Sequence, residues 1–268
     1  APTDYRKTIL YNTFDVTSLL ASDNAIGVAL GNGHFYTTRQ NYKPYKIANF
    51  GYPKLRLNLI VEYTDGSRET IATDEKWKLT ADGPIRSNNE YDGEEYDARK
   101  ELGDWSTVGY DDSAWQLAQR VSIPTGTLRG AMAPNMKVLQ TVKPLSMAKV
   151  GDKYIMDMGQ NMVGWIKMKV KGTENHTITL RFAETLQKNG ELYMENLRDA
   201  KVTDTYICNG KENGAWWRPT FVYHGFRYVE IKGYENPKIE DFIGEVVSDE
   251  MEVIGSFESS DKVLNQVY

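Results

Sequence analysis

Residues 165–172 read WIKMKVKG. Starting at Trp165 or Ile166, apolar side chains alternate against lysines, and a period of two residues is that of a strand with one dry and one wet face. After a turn, TITLRFAETL at 177–186 repeats the pattern. FRYVEIKGY at 226–234 repeats it again, with Phe226, Tyr228 and Glu230 expected opposite Arg227, Val229 and Ile231. Upstream, Leu55, Leu57, Leu59 and Val61 share one face of a strand. Asp65-Gly66 then supplies a hairpin turn, and residues 69–72 return. Helical periodicity is scarce until the last residues. The patterning predicts an all-β protein of short antiparallel strands joined by Gly, Asn and Pro turns, as in sandwiches.

The chain has 268 residues, and at roughly 150 residues per domain this suggests two domains. VSIPTGTLRGAMAPNMKV at 121–138 is turn-rich and without a period, so the boundary is expected within 116–135. The fold expected is two consecutive antiparallel β-sandwich, jelly-roll-like domains at 1–120 and 121–249. A linker and the start of a helix follow at 250–268. In SSDKVLNQVY, Ser259 or Ser260 is expected as N-cap, Asp261 in the first turn, and Val263, Leu264 and Val267 on one face. So short a helix is marginal alone, and both ends of the chain read as cut.

The formal net charge is −5, which leaves no broad basic surface to neutralise phosphates and argues against nucleic acid. No apolar run approaches the roughly 20 residues that span a bilayer, so no membrane partner is expected. A single cysteine, Cys208, can make neither an internal disulfide nor a zinc site by itself. It reads as a buried thiol. His34, His176 and His224 are too scattered for a metal triad. His224 reads as a packed, hydrogen-bonded side chain and His176 as an exposed one. Asn175 opens an NHT glycosylation sequon.

The densest chemistry is NNEYDGEEYDAR at 88–99, which places Glu90, Asp92, Glu94, Glu95 and Asp97 within eight positions. An EF-hand fits at Asn88, Glu90, Asp92 and Gly93 but fails where Arg99 replaces the bidentate glutamate. Two readings stay open. In one, Asp92-Gly93 is a turn and Arg99 pairs with Asp97 or Glu95. In the other, Asn88, Asn89, Asp92 and Glu94 supply oxygens to a sugar or a metal. No cofactor is required, and calcium is the ion this stretch would hold.

YDGEEYDAR (91–99), MDMGQNMVGW (156–165), LRFAETL (180–186), GELYMENLRDAKVTDTY (190–206) and FVYHGFRYVEIKGY (221–234) together resemble the non-catalytic β-domains of bacterial α-L-rhamnosidases. FESSDKVLNQVY resembles the segment leading into their catalytic barrel. The resemblance implies that the intact enzyme is an inverting glycoside hydrolase releasing terminal L-rhamnose. Its acid and base would lie on an (α/α) six-hairpin barrel, and the acidic motif of that barrel has no match here. It also implies a galactose-binding-like first domain lacking its first strands, and a rhamnose-containing glycan and the barrel as partners. The compartment implied is periplasmic or secreted.

A related rhamnose-binding module bridges protein and sugar with calcium. The resemblance places that site where LGNGHFY (30–36) nears the acid stretch, with Asn32 and His34 standing where the family often has Asp and an aromatic. The site residues expected are thus Asn32, His34, Asn88, Asn89, Asp92 and Glu94, on the first domain, with Asp92 and Glu94 as the metal's charged ligands. Trp216, Trp217 and Tyr223 are expected to face the barrel or to form a sugar-stacking platform. In DMGQNMVGW, Asp157, Gln160 and Asn161 are expected to brace a loop with Gly159 and Gly164.

Overall fold

The computed structural model describes residues 3–33, 35, 36 and 51–267. Their first part forms β1 (Thr8–Tyr11), β2 (Asn58–Glu62), β3 (Arg68–Ala72), β4 (Lys78–Leu79), β5 (Ile85–Asn89), β6 (Gly93–Asp97), β7 (Gln116–Leu117) and β8 (Thr127–Gly130). Three two-stranded sheets result: β1 with β8, β2 with β3, and β4 with β7. The β2–β3 hairpin turns where expected, with Gly66 at φ +82° and the Asp65 carboxylate accepting the Ser67 N–H at 2.8 Å. Leu59 and Val61 are the half-buried residues of β2. Among the described residues before Asn88, none is fully buried.

The core lies elsewhere. β9 (Met136–Val142), β10 (Ser146–Val150), β11 (Lys153–Lys169), β12 (Thr177–Ala183), β13 (Thr203–Ile207), β14 (Trp216–Trp217), β15 (His224–Lys232) and β16 (Phe242–Asp249) join β5 and β6 in one ten-stranded sheet. Its path runs β5-β6-β13-β12-β15-β11-β16-β9, with β10 and β14 added beside β11. The pairings are antiparallel except β6 with β13, which is parallel.

The 17 residues of β11 make the sheet double back. The first part pairs with β10 and the last part with β16 and β14, while β15 pairs with both, from Tyr154 to Asp157 and from Met162 to Gly164. Between them, residues 158–161 bulge out opposite Arg227 alone. Bulges of this kind let one strand pass from one layer of a sandwich to the other. Asp157 fixes the corner. Its carboxylate accepts the Gly159 N–H at 2.7 Å and both Nε and Nη2 of Arg227, at 2.8 and 2.9 Å. The guanidinium holds the Asp157 carboxyl below its usual range. Asn161 reaches Glu184 at 3.0 Å. The loop-bracing expected of this stretch is present at Asp157, Gly159 and Asn161.

Between the layers lie Met156, Met158, Met162, Ile166, Met168, Ile178, Leu180, Phe182, Phe226, Val229, Ile231 and Phe242, all buried. Thioether chains fill the irregular space at the corner, where Met158 and Met162 rest over Gly244. The alternation read at 165–172 is realised, with Ile166, Met168 and Val170 inside and the lysines outside. That at 226–231 is corrected. Phe226, Val229 and Ile231 are all buried, because the bulge shifts the phase at Arg227 by one residue. The terminal helix, α1 (Lys262–Val267), is also corrected in its cap. Asp261 takes the Val263 and Leu264 N–H groups at 2.8 and 3.3 Å, and Ser259 stands outside it. No helix of the described residues is long and apolar enough to cross a membrane.

At Gly164 a side chain would run into the Glu245 carbonyl of the neighbouring strand. Gly164→Ala is expected to cost about 1–3 kcal/mol through forced strand separation. Gly190, at φ +84° with open space around it, should cost about 1 kcal/mol through backbone strain alone. Urea midpoints read the difference, and equal shifts would refute the close approach of β11 and β16.

Candidate functional site

The acid-rich stretch forms the β5–β6 hairpin. Asn89 organises its turn: its Oδ1 accepts the Tyr91 and Asp92 N–H groups at 2.8 and 3.2 Å. Its Nδ2 donates to Asp92 at 3.1 Å. The other Asp92 oxygen takes the Lys201 N–H at 3.2 Å. Gly93 has φ +100°, and a side chain on it would strike the Thr203 carbonyl. The turn therefore sits directly on residues 201–204. At the far end Asp97 caps the turn at 98–100, accepting the Arg99 N–H at 3.0 Å. Its side chain holds the Arg99 guanidinium at 2.8 and 2.7 Å, which keeps the Asp97 carboxyl low.

Glu94 is the centre of this arrangement. It is 1% exposed. One carboxylate oxygen accepts the Thr220 N–H and the other the Phe221 N–H, both at 2.9 Å. Its own N–H donates to Asp204 at 3.0 Å. The same Asp204 oxygen meets His224 Nε2 at 3.0 Å, and the His224 ring stacks on Phe182 with centroids 4.3 Å apart. Burial pushes the Glu94 carboxyl up to about 7, working against the two amides that favour its charged form.

The residues expected to form a sugar or calcium site divide accordingly. Asn32 and Asn88 do meet: Asn32 N–H donates to Asn88 Oδ1 at 2.8 Å and Asn32 Nδ2 to the Asn88 carbonyl at 3.0 Å. His34 lies outside the described residues. Asn88, Asn89 and Glu94 are buried. Glu94 is not an available metal ligand, because both of its oxygens close onto amides behind the hairpin. Asp92 is half-buried, with both oxygens already accepting hydrogen bonds. No group of three or more His, Cys, Asp or Glu among the described residues is arranged to hold a metal. Of the two charged ligands expected for calcium, Glu94 is therefore closed off and Asp92 already carries two hydrogen bonds. The hairpin that carries them joins the ten-stranded sheet, where β6 pairs with β13 over Glu95–Thr205, Tyr96–Tyr206 and Asp97–Ile207.

Of the three aromatics, Trp216 and Tyr223 are 39% and 46% exposed. Trp217 is not at a surface. It is buried against Tyr96 and Tyr206, with centroids 5.7 and 5.2 Å away, because adjacent residues of β14 point to opposite faces. Lys169 and Lys167 stand over the exposed Trp216 ring at 5.2 and 5.7 Å. His224 is packed as expected. His176 is half-buried rather than exposed, with its ring nitrogen against the Gly233 carbonyl. Cys208 is buried, and burial raises its thiol to about 11.

The profile described as the α-L-rhamnosidase N-terminal domain matches residues 1–140, more than half of the chain. That of the bacterial α-L-rhamnosidase concanavalin-like domain matches residues 148–248. The chain belongs to the bacterial α-L-rhamnosidase family. An α-L-rhamnosidase of Formosa agariphila is 36% identical, the match covering 100% of this chain and 29% of that protein. One of Streptomyces avermitilis is 34% identical over 99% of this chain and 26% of its own length. The solved α-L-rhamnosidase from Dictyoglumus thermophilum superposes with a TM-score of 0.84 at 36% identity, covering 99% of this chain and 29% of that one. The Streptomyces avermitilis α-L-rhamnosidase solved with L-rhamnose gives 0.83 at 30% identity, covering 99% of this chain and 26% of that one. The chain thus spans less than a third of the length of each of these α-L-rhamnosidases. The concanavalin-like match covers most of the doubled sheet, whose two layers are a β-sandwich.

Within this α-L-rhamnosidase region, sequence reasoning did not reach Asp204 or the amides of Thr220 and Phe221. They lie 110, 126 and 127 residues from Glu94, and no local pattern joins them. A buried carboxyl raised above its unfolded value favours folding at low pH. That contribution is complete below about pH 4.5 and is lost as pH rises through about 7. Between those limits the stability of the wild type relative to Glu94→Gln should fall by roughly 2–4 kcal/mol. Guanidinium titrations across this range test it, and a flat difference would refute it. Glu94→Ala should lie about 1–3 kcal/mol below Glu94→Gln at any of these pH values, because neither variant titrates there and alanine leaves both amides unpaired.

Proposed function

We propose that this chain is the accessory, non-catalytic region of an enzyme that hydrolyses terminal α-L-rhamnosides, and that it shapes and supports the part that performs the chemistry. One observation carries the reading. Glu94, the carboxyl of the acid stretch that burial tunes toward a general acid, is sealed by the Thr220 and Phe221 amides. Inverting glycoside hydrolysis needs two carboxyls roughly 6.5–9.5 Å apart across an open sugar pocket. Glu94 has no open face, and Asp97 is tied to Arg99. A perturbed carboxyl can be structural as well as catalytic, and here its partners are backbone groups that hold loops together.

The support role rests on surfaces left uncovered. From residue 251 onward, Met251, Val253, Ile254, Phe257, Val263, Leu264 and Val267 are all exposed, Val253 and Ile254 almost completely at 88% and 92%. Trp216 and Tyr223 add exposed aromatic area. Apolar runs of this kind mark surfaces that bind other protein. The partner proposed is the catalytic part of the same polypeptide. A second reading, sugar binding at the rim where Asn32 meets Asn88, has that meeting in its favour and the closure of Glu94 against it. Calorimetry with L-rhamnose, with and without calcium, tests this second reading.

The chain by itself is expected to release no product from an aryl α-L-rhamnoside at high protein concentration. Turnover that survives repurification and disappears in Asp92→Asn or Glu95→Gln would overturn the proposal. Mixed with the remainder of an α-L-rhamnosidase polypeptide, the chain should associate. Trp216→Ala together with Tyr223→Ala should weaken that association at least about tenfold, and an unchanged affinity would count against the aromatic surface.

A further inference from the structure

We infer that a groove on the outer face of the sandwich, above β6, β13 and β12, binds a carboxylate-bearing sugar residue, a hexuronate unit of a glycan. The groove holds about 290 Å³ and is lined by Ser87, Glu95, Arg181, Lys201, Thr203 and Thr205. Its floor follows from the strand register. Thr203 and Arg181 lie in one row with Gly93 set against the Thr203 carbonyl, and Glu95, Thr205 and Thr179 lie in the next. Only hydrogen fits at Gly93, so no side chain closes that end of the first row. Glu94 contributes its backbone, since its carboxylate is turned to Thr220 and Phe221.

Arg181 stands opposite Glu230 in the register, but Glu230 is held by Lys153 at 2.7 Å. The side chains of Arg181, Lys201 and Glu95 make no hydrogen bond or ion pair among the described residues. Asp92, at the groove's edge, has both oxygens engaged. Two cations and one carboxylate therefore remain available, separated by threonine and serine hydroxyls. Arg181 is half-buried, and a partly desolvated guanidinium without a carboxylate is suited to accept one in a planar, two-bond contact.

The rest of the lining selects the remainder of the ligand. Ionised Glu95 only accepts hydrogen bonds, while hydroxyls both donate and accept. A ligand must therefore bring hydroxyl donors to Glu95 and an anionic group to Arg181 and Lys201. A sugar acid carries both on one ring. A compact dianion such as sulfate brings no donors and is repelled by Glu95, and no apolar side chain lines the groove to favour an apolar ligand. The volume is near the lower limit of about 300 Å³ for small-molecule pockets, which suits one sugar residue. This groove is a different place from the Asn32–Asn88 rim. The inference is independent of the accessory role, because it is read by binding and not by hydrolysis.

Matched pairs differing only at C6 test it: D-glucuronate against D-glucose, and D-galacturonate against D-galactose, titrated into the chain and followed by amide chemical shifts. The uronates should bind in the millimolar range and at least about tenfold more tightly than their neutral partners. Shifts should cluster at residues 93–95, 181 and 201–205, and affinity should fall with added salt. Arg181→Gln should remove the preference for the acid, and Lys201→Gln should reduce it. Both should melt with the wild type, since neither side chain has a partner to lose. Equal binding of acid and neutral sugar, binding unchanged in both variants, shifts located elsewhere, or no binding of either uronate at tens of millimolar would each overturn the assignment.

Discussion

The contact of the Glu94 carboxylate with the amides of Thr220 and Phe221 ties together parts of the chain that are distant in sequence. Through it the β5–β6 hairpin is pinned to the approach of β15, and through the Glu94 N–H and Asp204 it is pinned to β13. Phe221 in turn packs on Gly31, where a side chain would collide with its ring, and Asn32 beside it bonds Asn88. Loop 31–32, the hairpin, β13 and the 220–224 segment therefore meet around one buried acid. A charged group taken out of water is tolerated only when its hydrogen-bonding capacity is met. Two backbone donors meet it here at the cost of a raised proton affinity.

That constraint also explains why the acid stretch looks functional in sequence and behaves structurally in three dimensions. Five carboxylates in eight positions suggest a metal or a catalytic pair. In the fold they take separate duties. Asp92 shapes a turn and holds the Lys201 amide, Glu94 clamps the 220–221 segment, and Asp97 caps a turn and orients Arg99. Glu95 alone of these four has no partner among the described residues, and it faces the groove with Arg181 and Lys201.

Local patterning made much of the fold legible. The alternation at 165–172 and 177–183, the Asp65-Gly66 hairpin and the Asp97–Arg99 pair all depend on neighbours within a few residues, and sequence spacing encodes them directly. The phase change at Arg227 was hidden because it is caused by the bulge at 158–161, on another strand. Trp216 and Trp217 could not be separated by reading, since either parity of a two-residue strand is possible until its pairing with Met168 and Lys169 is known. The partners of Glu94 are hidden for the same kind of reason. Its partners are set by the packing of β6 on β13, a parallel contact between distant halves that no short motif announces.

Native-state hydrogen exchange at the Thr220 and Phe221 amides is the most direct measure of the Glu94 clamp. Both residues lie in the connection before β15, where Thr220 is exposed and Phe221 half-buried, so without a strong acceptor their amides would exchange as open-loop groups do. The clamp predicts that both exchange as slowly as the amides within β15. Exchange at the rate of the neighbouring exposed loop would contradict it, and would reopen Glu94 as a group free to meet solvent or a ligand.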